Sequence, residues 1–509
     1  MRQFRKPAVA VAIPLLVACL PAGGGALAGG GSLAVAGPLA SGTGAALPAS
    51  RGVGSADAPA VLISPDWRHV TGAHDSPPTT AFCEKHYQIA CYLPRQIERA
   101  YRLPLLYRAG ITGKGQTIVI VDSFGSPTIR HDLAVFDKAA GLPAPPSLRI
   151  IQPAGKVPPY QASSTREGWA GETSLDVEYA HAIAPGAGLL LVETPTAENE
   201  GTTGFPQIVR AEKYVIDHHL GGVISQSFSA TEQTFATPER LLTLRGAYVD
   251  AARNAVTVLA ASGDSGAGDV RYNGATYYLR PATSWPDSDP LVTGVGGTAL
   301  HLDSRGRQVT PATAWNDTYD VATNRFIFGT PGPNPLASGG GKSVIFGRPS
   351  YQDHVRGVVG TSRGVPDISM SGACDGAVDV YQSFPGQPAG WYPTCGTSES
   401  TPEFAGIVAL AEQVAGHGLG LINSDLYRLS SIGARGIADV VGGSNTVSFR
   451  QGSGHRLVTI SGYRALPGYD LVTGVGTVNG PAFVRELAWL ARHPQTTTSQ
   501  RGIALARGF

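Results

Sequence analysis

Beyond residue 116, short aliphatic runs alternate with longer stretches of helical periodicity, and that alternation restricts the chain to few architectures. Residues 117–121, 189–192, 223–225 and 256–261 read as strands, and 172–183, 205–219 and 239–255 read as helices between them. The strand runs are apolar at consecutive positions, so both of their faces have to be covered, as happens in a parallel sheet held between helical layers. The predicted class is α/β, with a central, mostly parallel sheet flanked by helices in three layers.

Composition narrows the function more than the fold. The chain of 509 residues carries 39 Lys and Arg against 38 Asp and Glu, with no long run of either sign. That balance gives no basic stripe, so no nucleic-acid partner is expected. The 66 Gly and 38 Pro imply many ordered turns and disfavour a helical bundle.

Both ends read differently from the middle. Arg2, Arg5 and Lys6 precede an apolar stretch over 7–20 that is short for a membrane span, so 1–28 is expected to be a signal peptide. A cut before Cys19 in Leu16-Val17-Ala18-Cys19, which resembles a lipoprotein box, is the alternative, and it would leave the protein lipid-anchored at the outer face of the cell membrane. Residues 21–50 hold nine Gly, nine Ala and no charge, too little side chain to offset ordering entropy. Residues 29–91 are therefore taken as a linker and short pro-region. The main domain spans 92–490, opening on a helical pattern from Pro94, and 491–509 is a tail. No later stretch is long and apolar enough to cross a bilayer. Removal of the leader leaves Cys83, Cys91, Cys374 and Cys395, an even number suited to an oxidising compartment. Cys83 with Cys91 and Cys374 with Cys395 is the simplest of three connectivities, and no Cys-x-x-Cys spacing points to zinc.

Three segments carry candidate chemistry. Gly396-Thr397-Ser398-Glu399-Ser400-Thr401-Pro402 runs into an apolar-periodic helix over 403–415, which puts Ser398 at a helix start, where unpaired N–H groups can bind a developing oxyanion. An ordinary N-cap serine would look the same. A serine nucleophile needs a base, yet none of the twelve His lies in a His-Gly-Thr context, and His218-His219 ends a helix. Glu172 and Asp176 are four residues apart and share one helix face, a repulsive spacing unless the two share a proton or meet a third group, while Glu178 points about 120° away. A solvated acidic helix start is the plain alternative. Asp264 follows a strand in Ser262-Gly263-Asp264-Ser265-Gly266, where Asp is also a common turn former.

Taken in order, Glu172 with Asp176, Ser-Gly-Asp264 and Gly-Thr-Ser398-x-Ser-Thr-Pro resemble the sedolisin, or serine-carboxyl peptidase, family. Gly113-Lys114-Gly115-Gln116-Thr117, Val295-Gly296-Gly297-Thr298, Ser338-Gly339-Gly340-Gly341 and Val365-Pro366-Asp367-Ile368-Ser369 extend the likeness over about 93–490. The resemblance implies a subtilisin-like fold in which Glu replaces the catalytic His. On that reading Ser398 attacks the scissile carbonyl, Glu172 accepts its proton, Asp176 orients Glu172, and Asp264 in its neutral form donates to the oxyanion. A carboxylate base and a protonated carboxyl donor both favour acidic conditions. Asp122 resembles a subtilisin aspartate by local context but is read as structural.

The resemblance also implies one structural calcium ion, with carboxylates from Asp439 and Asp470 and backbone carbonyls from Val440, Leu466 and Gly468. Two departures stand out. The segment before the main domain is short for a prodomain of this family, and Glu399 stands beside Ser398 where a small residue is usual, adding negative charge near the oxyanion site. The expected protein is a secreted, monomeric, acid-active peptidase acting on peptides or proteins, as an endopeptidase or tripeptidyl peptidase. Its rivals are an inactive peptidase-like binding protein and a His-dependent subtilase.

Overall fold

The strands of the main sheet, in chain order, are β1 (Thr117–Ser123), β2 (Leu148–Ile151), β3 (Gly188–Thr194), β4 (Val223–Gln226), β5 (Thr257–Ala261), β6 (Thr293–Leu302), β7 (Gln308–Ala314) and β8 (Ile368–Ser371). Their spatial order is β7-β6-β5-β4-β1-β3-β2, with β8 paired to β6. Every pairing is parallel except β6 with β7. This is the expected α/β, subtilisin-like arrangement. The computed structural model describes residues 66–493 except 73, 453 and 454. The signal-peptide, lipid-anchor and linker readings of 1–65 therefore lie outside the described residues, as does most of the tail.

Two hydrophobic cores, one on each face, follow from the two-residue alternation of side chains along a strand. Ile118 and Ile120 of β1 join Leu189, Leu191, Val223, Leu259 and Val295 in one core. Val119 and Val121 face the other way, with Leu190, Val192, Ile224 and Val258. The first core is closed by α3 (Ser164–Ile183), α6 (Thr397–Ala415) and α7 (Gly480–Arg492), which follow α1 (Pro94–Ala100) and α2 (Ile129–Ala140) in the chain. The second core is closed by α4 (Phe205–Asp217) and α5 (Gly246–Arg253).

Three helices differ from expectation. α6, expected over 403–415, begins six residues earlier at Thr397. α3 begins at Ser164, with the Ser163 hydroxyl capping the Arg166 N–H, eight residues ahead of the predicted start. The segment 239–255 is broken into Pro238–Leu242 and α5, so its single predicted helix is two.

A smaller five-stranded sheet combines β9 (Ala377–Gln382) and β10 (Gly390–Cys395) with Asp66–Trp67, Thr71–Gly72 and Cys91–Tyr92. Residues 66–72 thus pair with the strand that leads into the Ser398 helix, Asp66 opposite Cys395 and Trp67 opposite Thr394. Both disulfides take the local connectivity, Cys83–Cys91 and Cys374–Cys395, the second at the end of that same strand.

Candidate active site

The carboxyl ends of β1, β4 and β5 open toward the N-terminus of α6, the position where open parallel sheets place their ligands. Ser398 lies in the first turn of α6, fully buried. The residue before this helix, Gly396, has φ +129°, and a Cβ there would sit 2.8 Å from Asp264 Oδ2, so a side chain at 396 would push the Asp264 loop away. The helix start is tied down on two sides. Gly396 donates its N–H to the Gly372 carbonyl just beyond β8, at 3.0 Å. Thr397 donates its N–H and its hydroxyl to Asp264 Oδ1, at 2.7 and 2.9 Å, while its hydroxyl accepts the Gly263 N–H at 3.0 Å.

Asp264 follows β5 and is held from behind by the segment 337–341: Ala337 donates to the Asp264 carbonyl at 2.9 Å and Gly339 to the Gly263 carbonyl at 2.7 Å. The Asp264 carboxyl therefore sits against the helix turn that carries Ser398, with Oδ1 fixed by Thr397 and Oδ2 beside Gly396.

Glu172 and Asp176 lie in the middle of α3, and both are fully buried. The reading of a solvated acidic helix start does not hold, because the helix begins a full two turns earlier. Burial raises the Glu172 pKa well above the ordinary carboxyl value; the charges of Asp176 and Asp122 push the same way, and the Ser398 hydroxyl pulls it down. Ser398 and Glu172 approach closely enough for that effect without closing a well-formed hydrogen bond. Such contacts commonly tighten only when substrate is bound. Asp176 accepts the Ser227 hydroxyl at 2.9 Å, which lowers its pKa against the larger upward effects of burial and Asp122. Glu178, on another face of α3 as its spacing predicts, accepts the Tyr381 N–H of β9 at 3.0 Å.

Three residues around this site were missed or undervalued in the sequence. Asp122, read as structural, ends β1 with a fully buried carboxyl that raises the pKa of both Glu172 and Asp176. Its own pKa is pushed up to about 7, by burial first, opposed by Thr173 and reinforced by Glu193. Ser227 follows β4 among three serines, Ser225, Ser227 and Ser229, and nothing in the pattern singles it out. Trp67 was also unforeseen: its ring lies so close to α3 that a Cβ on Gly171 would be 1.8 Å from it, so the indole packs directly on the helix backbone at Gly171.

Glu399, expected to add negative charge near the oxyanion site, lies on the first turn of α6. Its side chain is fully buried, and burial raises its pKa well above the ordinary value.

The proposed calcium ligands are brought near one another. Asp439 Oδ2 accepts the Gly468 N–H at 2.9 Å, which joins the segment after 437–438 to the 466–470 loop. Asp470 accepts the N–H groups of Leu466, Val472 and Thr473. The donor set of two carboxylates and backbone carbonyls is all oxygen and suits a hard cation. Among the described residues no cluster of three or more His, Cys, Asp or Glu is placed to hold a metal, so carbonyls or water would have to supply the remaining ligands.

No protein-family model matches the chain. Kumamolisin from Bacillus sp. (strain MN-32) is 30% identical over 402 residues, covering 78% of this chain and 63% of that protein. Sedolisin from Pseudomonas sp. (strain 101) is 29% identical over 379 residues, covering 74% of this chain and 59% of that protein. Tripeptidyl-peptidase 1 from Homo sapiens is 30% identical over 350 residues, 64% of this chain and 55% of that protein. The chain thus spans less than two thirds of the length of these relatives. Among solved structures, Pseudomonas sedolisin, a serine-carboxyl proteinase in complex with two molecules of pseudo-iodotyrostatin, aligns with a TM-score of 0.63 and 25% identity, covering 79% of this chain and 98% of that one.

Proposed function

Because the chain belongs to the sedolisin family, we propose that it is a serine-carboxyl peptidase that hydrolyses peptide bonds in acid through an acyl-enzyme. The observation that carries this reading is the convergence of a buried Glu172–Asp176 pair and the Thr397-bound Asp264 on the helix turn that holds Ser398.

In the proposed reaction Ser398 Oγ attacks the scissile carbonyl carbon while its proton passes to Glu172. The carbonyl oxygen becomes an oxyanion beside Asp264 and the helix N-terminus, where a protonated Asp264 donates to it. Collapse of the tetrahedral intermediate breaks the C–N bond, and Glu172 returns the proton to the leaving amine. Water then adds to the acyl-enzyme by the same route and releases the acid. Asp176, oriented by Ser227, keeps Glu172 in place and shares its proton load. Carboxyls crowded in this way titrate together, so one proton held among them leaves a base whose strength is matched to acid rather than to neutrality.

The activity is tested by incubating the purified full chain with denatured casein from pH 3 to 7, beside Ser398→Ala and Glu172→Ala. Peptide release in acid by the parent alone is the expected result; full-rate release by either variant sinks the assignment. Masses of the released peptides separate endopeptidase from tripeptidyl action. A maximum near pH 8 favours the His-dependent subtilase, and no release at any pH favours the binding protein.

The remaining features complete the proposal. Residues 1–28 serve as an export signal and 29–91 as a short pro-region ahead of a 92–490 peptidase domain, with secretion supported by the two disulfides and lipid anchoring at Cys19 as the alternative. No helix among the described residues is long and apolar enough to cross a membrane. Asp439 and Asp470, with the carbonyls of Val440, Leu466 and Gly468, would hold one calcium ion, whose contribution is to clamp two segments together. The protein is expected to act as a monomer on peptide or protein substrates.

A further inference from the structure

Behind the nucleophile lies a second pair of carboxyls that the proposed chemistry does not use. Glu399 and Glu403 occupy α6 one turn apart, the spacing at which two side chains share a helix face. Both are fully buried, and none of their four carboxylate oxygens closes a well-formed hydrogen bond. Two charges in that position would be strongly unfavourable, since a buried charge is tolerated only with a partner.

Among the described residues no cation is paired with either carboxyl. The Ser371 hydroxyl at the end of β8 lowers the Glu399 pKa, and the Glu399 charge raises that of Glu403. The titratable side chains that feel the pair are Tyr101 after α1, Tyr179 on α3 and Tyr92 opposite β9, all of them neutral in acid. No Lys, Arg or His figures among the groups that shift either carboxyl. Burial raises both pKa values well above the ordinary carboxyl range, with the charge of Glu399 adding to the rise at Glu403.

The pair also sits where a small movement matters. Ser371 donates its N–H to Tyr101 Oη at 2.7 Å, and its carbonyl accepts the Ser400 hydroxyl at 2.5 Å. Ser371 and Gly372 are thus the stop against which the first turn of α6 rests, and that turn carries Ser398 and the Thr397 groups bound to Asp264. Glu399 directly follows Ser398 in that turn, so the two side chains share one short piece of backbone held against Ser371.

We infer that Glu399 and Glu403 are positioning residues: as a neutral, proton-sharing pair they brace the first turns of α6 from behind, and ionisation of the pair releases that brace and disengages Ser398. The inference rests on the peptidase reading and adds to it a second reason for acid dependence, separate from Glu172.

The test uses the full chain with Glu399→Gln and Glu403→Gln together, which keeps shape and removes the titrating protons. Two quantities are read: the ratio of the casein-hydrolysis rate at pH 6.5 to that at pH 4, and the slope of melting temperature against pH between 4 and 7. The expected result is a rate ratio at least threefold above the parent's together with a shallower slope. An unchanged rate ratio overturns the proposal whatever the slope, because the pair then titrates without moving the nucleophile. If the double variant does not fold, Glu399→Gln alone is read in the same way. If the parent hydrolyses nothing at any pH, the peptidase reading falls by itself and the slope decides the brace: a shallower slope in the variant supports it, and an unchanged one overturns it.

Discussion

Thr397 gives both its N–H and its hydroxyl to one oxygen of Asp264, at 2.7 and 2.9 Å. The residue before Ser398 therefore sets the position of the proposed oxyanion donor, and the two halves of the proposed reaction centre are tied together. Thr397→Val keeps the N–H contact and loses the hydroxyl one, along with the acceptor for the Gly263 N–H. It should lower kcat about tenfold with little change in KM, whereas Asp264→Ala, which removes the donor itself, should cost about 10²–10³ in kcat. Steady-state kinetics on a casein-derived peptide at pH 4 check both. An unimpaired kcat in Thr397→Val would mean that Asp264 is positioned by other contacts.

Asp122 raises the Glu172 pKa through its negative charge. Asp122 itself titrates at about 7, so at the acid end of the range it is neutral and its charge reaches Glu172 only as the pH approaches neutrality. Asp122→Asn should therefore leave the kcat/KM profile below pH 5 in place and change it only above pH 6, where the substitution removes the charge that opposes Glu172 ionisation. A displaced acid limb below pH 5 contradicts this order of titration.

The fold was largely legible because apolar runs such as 189–192 and 223–225 encode their own double-sided burial. The pair Glu172 and Asp176 was legible for a similar local reason, since a four-residue spacing fixes a shared helix face. The first two turns of α3 were not. Residues 164–171 include Gly168 and Gly171, which weaken helix propensity, and they are helical because tertiary packing, Trp67 against Gly171 among it, overrides that weakness. Asp122 and Ser227 join the site only through the order β4-β1-β3 of the sheet, a relationship between distant segments that no local spacing reports. The burial of Glu399 was hidden for the same reason, as a helix N-terminus says nothing of which side faces Ser371.

Calcium, if it binds between Asp439 and Asp470, clamps the 466–470 loop to the strand end at 437–438. A cation that binds only the folded state stabilises it by mass action, about 2.7 kcal/mol at a hundredfold excess over Kd. Addition of a chelator to the calcium-loaded protein should therefore lower Tm by about 3 °C. Asp470→Ala should abolish the calcium dependence, and a melting curve indifferent to both calcium and chelator removes the site.

Stability should be greatest in acid, and the sign follows from the buried carboxyls. Burial pushes Asp122, Asp137 and Asp317 up to about 7 and Glu412 up to about 8, while Glu178, Asp287, Asp379, Glu399 and Glu403 move well above their ordinary values for the same leading reason. In the unfolded chain these groups titrate near pH 4. Below that pH they are protonated in both states and do not favour unfolding. Between about pH 4 and 8 the folded protein holds more protons than the unfolded one, so stability falls as pH rises through this window. His181, whose pKa burial lowers, and Glu239 and Asp303, whose pKa values hydrogen bonds lower, work in the opposite direction, few groups against many. Calorimetry from pH 3 to 8 should show Tm highest near pH 4 and declining steadily toward neutrality. A Tm that rises from pH 4 to 7 would require these carboxyls to be ionised and paired in the fold, which is incompatible with a Glu399–Glu403 pair buried without a cation.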